Sequence, residues 1–252
     1  MEIYNIIILG ILQGVTEFLP VSSSGHLVIA QYFLGVNFYG NNLEILFHFG
    51  TLLSVVFVFF NDIKQLLFSL NEKDTQILIL YIVIATIPAS VVGLFLKNYI
   101  VKFFDNISFV GFALCFTGII LSISNNFQNN QKNFSLLSSI LVGIAQAIAI
   151  VPGVSRSGLT ISMSMYLGIS SKDAAKFSFL ISIPIILGAS ILNFIEMDKD
   201  NIFTITSIIT AIVSSFLTGV FALKFLLKIL EIGKFYIFGL YCICIGLCSI
   251  IL

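Results

Sequence analysis

The chain has 252 residues, of which 58% are hydrophobic and only 10% charged, and its formal net charge is zero. Soluble domains carry roughly a quarter charged residues, so a surface this poor in charge has lipid, not water, as its solvent. The balanced charge offers no basic face, so no nucleic-acid partner is expected.

Crossing ~30 Å of hydrocarbon takes about 20 apolar residues. In chain order, the first apolar stretch runs from Ile3 to Leu34 but is broken by Pro20, Ser22, Ser23, Ser24 and Gly25. Spans are predicted near 43–60, 77–96 and 107–124, the first two separated by Asn71-Glu72-Lys73-Asp74. Beyond the polar run from Asn125 to Asn133, a second broken stretch extends from Leu136 to Leu167. Pro152, Gly153, Ser155, Arg156, Ser157 and Gly158 interrupt it. Spans near 174–196, 202–223 and 235–252 complete the set. Each half of a broken stretch is too short to cross comfortably. Non-helical backbone at membrane depth survives only inside protein or beside a water-filled cavity. Both stretches therefore read as re-entrant helix-loop-helix hairpins, giving an all-α integral membrane protein of six transmembrane helices plus two hairpins.

No charged segment followed by a cleavage site opens the chain, so targeting is expected to rest on the spans themselves. Cys115, Cys242, Cys244 and Cys248 lie in apolar runs without zinc-type spacing and read as small core hydrophobes.

The broken stretches match at a constant offset of 133 residues: Gly10 with Gly143, Gln13 with Gln146, Ser22 with Ser155, Ser24 with Ser157, Gly25 with Gly158 and Gly35 with Gly168. This register predicts a single membrane domain over 1–252 with internal repeats at roughly 1–124 and 134–252. If each hairpin returns to its starting side, Lys97, Lys102 and Lys199 share the face of the termini. Lys64, Lys73, Lys132, Lys172, Lys176, Lys224, Lys228 and Lys234 then occupy the other face, which the lysine excess marks as cytoplasmic. One hairpin enters from each side, an inverted-topology repeat whose broken loops meet near the midplane.

Ionisable residues at membrane depth are costly and usually functional. Most of those here fall in the broken stretches: Glu17, His26 and Arg156, accompanied by Gln13, Ser22, Ser23, Ser24, Ser155, Ser157 and Thr160. Gln13 and Glu17, four apart, project from one helix face and can offer oxygen ligands to a hard divalent cation. The alternative for Gln13 is interhelical hydrogen bonding. A buried Glu17 needs a positive partner, either Arg156 or a metal ion. Gly153-Val154-Ser155-Arg156-Ser157-Gly158 supplies backbone N–H groups, hydroxyls and a guanidinium before a helix, a phosphate cradle. Ser22-Ser23-Ser24-Gly25-His26 offers a nucleophile with an imidazole nearby, although His26 as a structural hydrogen-bond partner is the alternative. His48 reads as a packing or cavity-lining residue, and Glu44 as facing an outer vestibule.

The run from Gln13 to His26, QGVTEFLPVSSSGH, resembles the first signature of the bacitracin-resistance family of undecaprenyl-pyrophosphate phosphatases. The run from Pro152 to Thr160, PGVSRSGLT, resembles its second. The likeness extends over essentially the whole chain. It implies hydrolysis of undecaprenyl pyrophosphate to the monophosphate and inorganic phosphate, at the outer face of the bacterial cytoplasmic (inner) membrane. Such an activity recycles the carrier lipid for cell-wall synthesis and confers bacitracin resistance.

By the same resemblance Glu17 is the essential acid, Ser23 the nucleophile, His26 its acid/base partner and Arg156 the phosphate clamp. Ser22, Ser24, Gly153, Ser155, Ser157 and Thr160 are expected to bind phosphate. Glu17 and Gln13 would bind a divalent cation, magnesium or calcium, although Gln where the family also accepts Glu leaves one carboxylate fewer. Ser24 stands where Thr is common. Direct attack by water in place of Ser23 is left open, with His26 or Glu17 as proton acceptor. Membrane lipids are expected partners, and a homodimer is allowed. The rival class is a lipid-phosphate transporter, since inverted repeats with broken helices also build carriers.

Overall fold

In each broken stretch the second helix begins at a serine whose side chain caps it. The computed structural model describes residues 3–35, 42–100, 103–104, 106–124, 127, 132–195 and 204–251. Among these residues the protein is all-helical, with eleven helices and no strand. Each broken stretch forms two helices: α1 (Ile3–Phe18) with α2 (Ser23–Leu34), and α7 (Leu136–Ile148) with α8 (Arg156–Tyr166). Ser22 caps α2 by accepting from the Gly25 amide at 3.3 Å, and Ser155 caps α8 by accepting from the Gly158 amide at 3.1 Å.

The six predicted spans each coincide with a helix: α3 (Asn42–Val58), α5 (Lys73–Ile100), α6 (Ile107–Ser124), α9 (Ser171–Ile195), α10 (Ile205–Glu231) and α11 (Tyr236–Ile251). Four of them, α5, α6, α9 and α10, are long and apolar enough to cross a bilayer. The span expected over 43–60 is different: its helix breaks at Phe59 and turns by 71° into α4 (Phe60–Phe68), making a fifth candidate only if the bent pair is one span. No Gly or Pro marks that break, so nothing local predicts it. α4 is tied down by an ion pair between Asp62 and Lys176 of α9, and Lys64 lies 5.9 Å from the centroid of the Phe68 ring. Lys102 and Lys199, used in the orientation count, lie outside the described residues.

Without a hydrophobic drive between helices in lipid, close backbone approach at small residues does the packing. α6 and α11 meet at glycines on both sides. A Cβ added to Gly246 would lie 2.6 Å from the Gly111 carbonyl oxygen, and one on Gly118 2.6 Å from that of Gly239. Gly10 and Gly14 of α1, and Gly50 of α3, face Ser214, Ser215 and Thr218 of α10. Gly143 of α7 faces Ala85 and Pro88 of α5. Helices of each half are thus seated on helices of the other. A core of Phe18, Phe59, Ile161, Phe179, Leu223 and Phe235 fills the space beneath the hairpin tips. Outward, α5 presents Leu80, Val83, Ile87, Val91 and Leu94, an exposed apolar stripe suited to lipid. Among the cysteines only Cys242 is buried; Cys115 is half-buried, while Cys244 and Cys248 are exposed on α11. The core reading therefore fails for the last two, because α11 turns that side away from α6.

Gly246→Val is expected to cost ~1–3 kcal/mol by overpacking, read as a lower melting temperature in detergent. Gly188→Ala, where an added Cβ meets nothing within 4 Å, should leave the melting temperature unchanged or raise it.

Candidate active site

The last turn of α1 carries Gln13 and Glu17 into the space between the two hairpin tips, and the start of α8 carries Arg156 to meet them. Arg156 Nη2 donates to Glu17 Oε1 at 2.5 Å. The other carboxylate oxygen, Oε2, accepts from Ser23 Oγ at 2.7 Å and from Gln13 Nε2 at 3.0 Å. A charged pair this far from water is tolerable only with good geometry and its remaining lone pairs satisfied, and here every donor aimed at Glu17 meets that need. Arg156 keeps its second terminal nitrogen, Nη1, buried and without a partner.

Both loops are held in special backbone conformations. Ser22 is the only non-glycine residue with positive φ among the described residues, at 69°, and Gly153 sits at 91°. The tips touch reciprocally. A Cβ on Gly25 would lie 3.1 Å from Gly153 Cα, and one on Gly158 3.3 Å from Pro20 Cβ. Thr117 of α6 fixes the second loop, accepting from the Ser155 amide at 3.1 Å and donating to the Gly153 carbonyl at 3.1 Å.

Beside the ion pair lies a cavity of about 300 Å³, lined by Glu17, Ser22, Ser23, Ser24, Ser155 and Arg156 among others. Ile45 of α3, with Ile185, Ile186 and Ala189 of α9, forms its apolar wall. The two predicted motifs therefore do converge on one space. Five predicted residues stand off it: Gln13, fully buried on α1, and four others. Thr160 is fully buried, bonded to the Arg156 carbonyl at 2.8 Å and to Ser178 Oγ at 2.6 Å. Ser157 reaches the Leu19 carbonyl at 3.4 Å, and Gly153 shapes the loop. His26 turns away from Ser23, with Nδ1 2.8 Å from the Ser22 carbonyl and Nε2 2.8 Å from the Tyr241 hydroxyl.

His48 proves to be more than packing. Its Nδ1 is 3.1 Å from Gln13 Nε2 and 3.8 Å from Glu17 Oε2, and its Nε2 is 3.9 Å from Glu44 Oε1. Glu44 and His48 both line the cavity, which for His48 is the cavity-lining alternative of its sequence reading. Their spacing of four, the same as that of Gln13 and Glu17, was the available signal. Gln146 also lines the cavity, and its signal was the 133-residue match to Gln13; Tyr241 and Thr117 carry none, since each reaches the site only through tertiary packing.

For a cation, the donor chemistry fits a hard divalent ion. Gln13 Oε1 is buried and unpartnered beside the Glu17 carboxylate, and amide and carboxylate oxygens are what such ions take. Two side chains are fewer than the six or so ligands required, so substrate or water oxygens have to complete the set. In keeping with this, no group of three or more His, Cys, Asp or Glu among the described residues is placed to hold a metal.

Comparison with known proteins completes the picture. The family described as Bacitracin resistance protein BacA matches residues 6–248. The chain belongs to this family. Among its relatives, the undecaprenyl-diphosphatase of Halothermothrix orenii is 39% identical over all of this chain and 98% of its own. That of Desulforapulum autotrophicum is 38% identical over 100% and 98%, and that of Alkaliphilus metalliredigens 39% over 98% and 97%. The two runs that resemble the signatures of this family supply the Glu17–Arg156 pair, one residue each.

Breaking that pair from one side leaves a buried charge alone. Arg156→Met is expected to destabilise the protein by ~3–5 kcal/mol, while the double variant Glu17→Gln/Arg156→Met should recover most of the loss. Equilibrium unfolding in detergent of wild type, Glu17→Gln, Arg156→Met and the double variant measures this coupling.

Proposed function

We propose that this chain is an undecaprenyl-diphosphatase, hydrolysing undecaprenyl pyrophosphate to undecaprenyl phosphate and inorganic phosphate. The observation that carries the reading is the pairing of Ser23 and Arg156 on the two oxygens of Glu17, beside a cavity with one polar and one apolar wall. A hydroxyl bonded to a carboxylate is a nucleophile with its base in place. A guanidinium with a free N–H is a clamp for phosphate oxygens.

The mechanism follows from these positions. The terminal phosphate enters the cavity and takes Arg156 Nη1, with Ser155 and Ser24 hydroxyls at its rim. Ser23 Oγ attacks the terminal phosphorus and gives its proton to Glu17 Oε2. The bond from that phosphorus to the bridging oxygen breaks, and undecaprenyl phosphate leaves. Water then attacks the phosphoserine, the bond from phosphorus to Ser23 Oγ breaks, Glu17 returns the proton to Oγ, and inorganic phosphate leaves with both protons of the water. Loose phosphoryl transfer asks mainly for positioning and charge stabilisation. A divalent ion held by Glu17 and Gln13, magnesium or calcium, would neutralise charge on the phosphate oxygens. His26 holds the Ser22 carbonyl and so supports the first loop, whereas Thr160 bonds the Arg156 carbonyl within α8.

The topology proposed with this function has six crossings and two re-entrant hairpins related as inverted repeats. The reciprocal contacts of Gly25 with Gly153 and of Gly158 with Pro20 support it, because positions 25 and 158, and 20 and 153, are equivalent at the 133-residue offset. So do the matched serine caps. The membrane is the bacterial inner membrane, with the cavity opening outward.

Phosphate release from undecaprenyl pyrophosphate by the purified protein in detergent is the deciding assay. Wild type should release phosphate in a magnesium- or calcium-dependent, chelator-sensitive manner, and Glu17→Ala and Arg156→Ala should each lose ~10²–10⁴-fold. Folded wild type that releases none under either metal would overturn the enzyme reading in favour of lipid transport.

Single cysteines placed at Asn71 and Gly233 should label from the cytoplasmic side, in a variant lacking the four native cysteines. Labelling from opposite sides would break the proposed topology.

A further inference from the structure

The loop carrying Ser23 is strained at its preceding residue. Ser22 holds φ at 69°, a left-handed conformation that a serine seldom keeps without outside support. Two bonds converge on its carbonyl oxygen: the backbone amide of His26 at 3.2 Å and His26 Nδ1 at 2.8 Å. A carbonyl oxygen only accepts, so Nδ1 carries a proton. In a neutral ring Nε2 is then an acceptor, and the Tyr241 hydroxyl at 2.8 Å donates to it. The two rings lie 8° from parallel with centroids 5.6 Å apart, and His26 is 8% exposed. The neighbouring Cys242 reaches the same loop from α11, its Sγ 3.6 Å from the Pro20 carbonyl. Both imidazole nitrogens are thus engaged, and neither contacts Ser23 or Glu17.

We infer that Tyr241 is a positioning residue for Ser23, acting through His26: its hydroxyl holds the imidazole in the Nδ1–H tautomer that grips the Ser22 carbonyl and aims the next residue at Glu17. His26 in this assignment is itself a positioning residue and takes no proton from Ser23. The inference rests on Ser23 as the attacking group. It adds a residue from the far end of the chain to the site and gives the imidazole a different task from the acid/base role that the family resemblance implies.

The test is steady-state phosphate release from undecaprenyl pyrophosphate by purified, folded variants in detergent. Tyr241→Phe keeps the ring and removes one hydrogen bond, so kcat should fall about tenfold with KM changed less than about twofold. On a His26→Ala background the same substitution should change nothing further. His26→Asn places an amide N–H where Nδ1 stands but has no basic nitrogen. It should keep kcat within about tenfold of wild type, while His26→Ala loses about a hundredfold. Unchanged kcat in Tyr241→Phe, or His26→Asn as inactive as His26→Ala, would overturn the inference. Ser23→Ala separates the two levels. If it is inactive, a null result at Tyr241 sinks the positioning role alone. If it keeps wild-type activity, Ser23 is not the attacking group and the inference falls with that reading.

Discussion

A buried carboxylate is held by a guanidinium that is itself only partly exposed, and the site depends on that pairing. Glu17 comes from the first hairpin and Arg156 from the second, 139 positions apart in the chain and joined by a 2.5 Å hydrogen bond. Because an ion pair out of water is costly unless its remaining valences are met, Ser23 and Gln13 have to stand where they do, on the second carboxylate oxygen. The same requirement brings the loops together: neither hairpin can satisfy its own charge. Glu17 accepts three hydrogen bonds on its two oxygens, while Arg156 Nη1 is buried without a partner.

The helices behind the loops are organised to hold that junction. Thr117 of α6 grips the loop of the second hairpin, and α11 reaches the loop of the first through Tyr241 and Cys242. Since α6 and α11 are joined along their glycines, both loops are referenced to one rigid seam. The distance between Ser23 and Arg156 is therefore set by backbone packing and not by the flexible side chains that line the cavity.

Much of this was legible in the sequence because it is written in polar residues where polarity is expensive. Pro20, the serines after it, and the Pro152–Gly158 run announce broken helices, and Glu17 and Arg156 are conspicuous at that depth. The helices themselves follow from apolar length. Illegible were the features fixed by neighbours distant in sequence. The turn at Phe59 has no Gly or Pro, so α4, which follows the span predicted over 43–60, was not expected as a separate bent helix. Thr160 looks like a cradle hydroxyl but points at its own helix and at Ser178. His26 sits three residues from Ser23, yet its ring goes to Tyr241, 215 positions away. Helical phase decides such cases, and only when the partner helix is known.

The way α1 and α7 are seated has a consequence for motion. α1 lies on α10 with Gly10 and Gly14 against Ser214 and Thr218, while α7 lies on α5 with Gly143 against Ala85. Each half thus lends a hairpin to the other, like the fingers of clasped hands. A carrier that alternates its access must let one half rock against the other about a central site. Here such rocking would part both seams at once, leaving glycine surfaces facing lipid with no side chain to cover them. The clasp favours a mouth that stays on one side of the membrane, with the scissile bond brought to a fixed anvil.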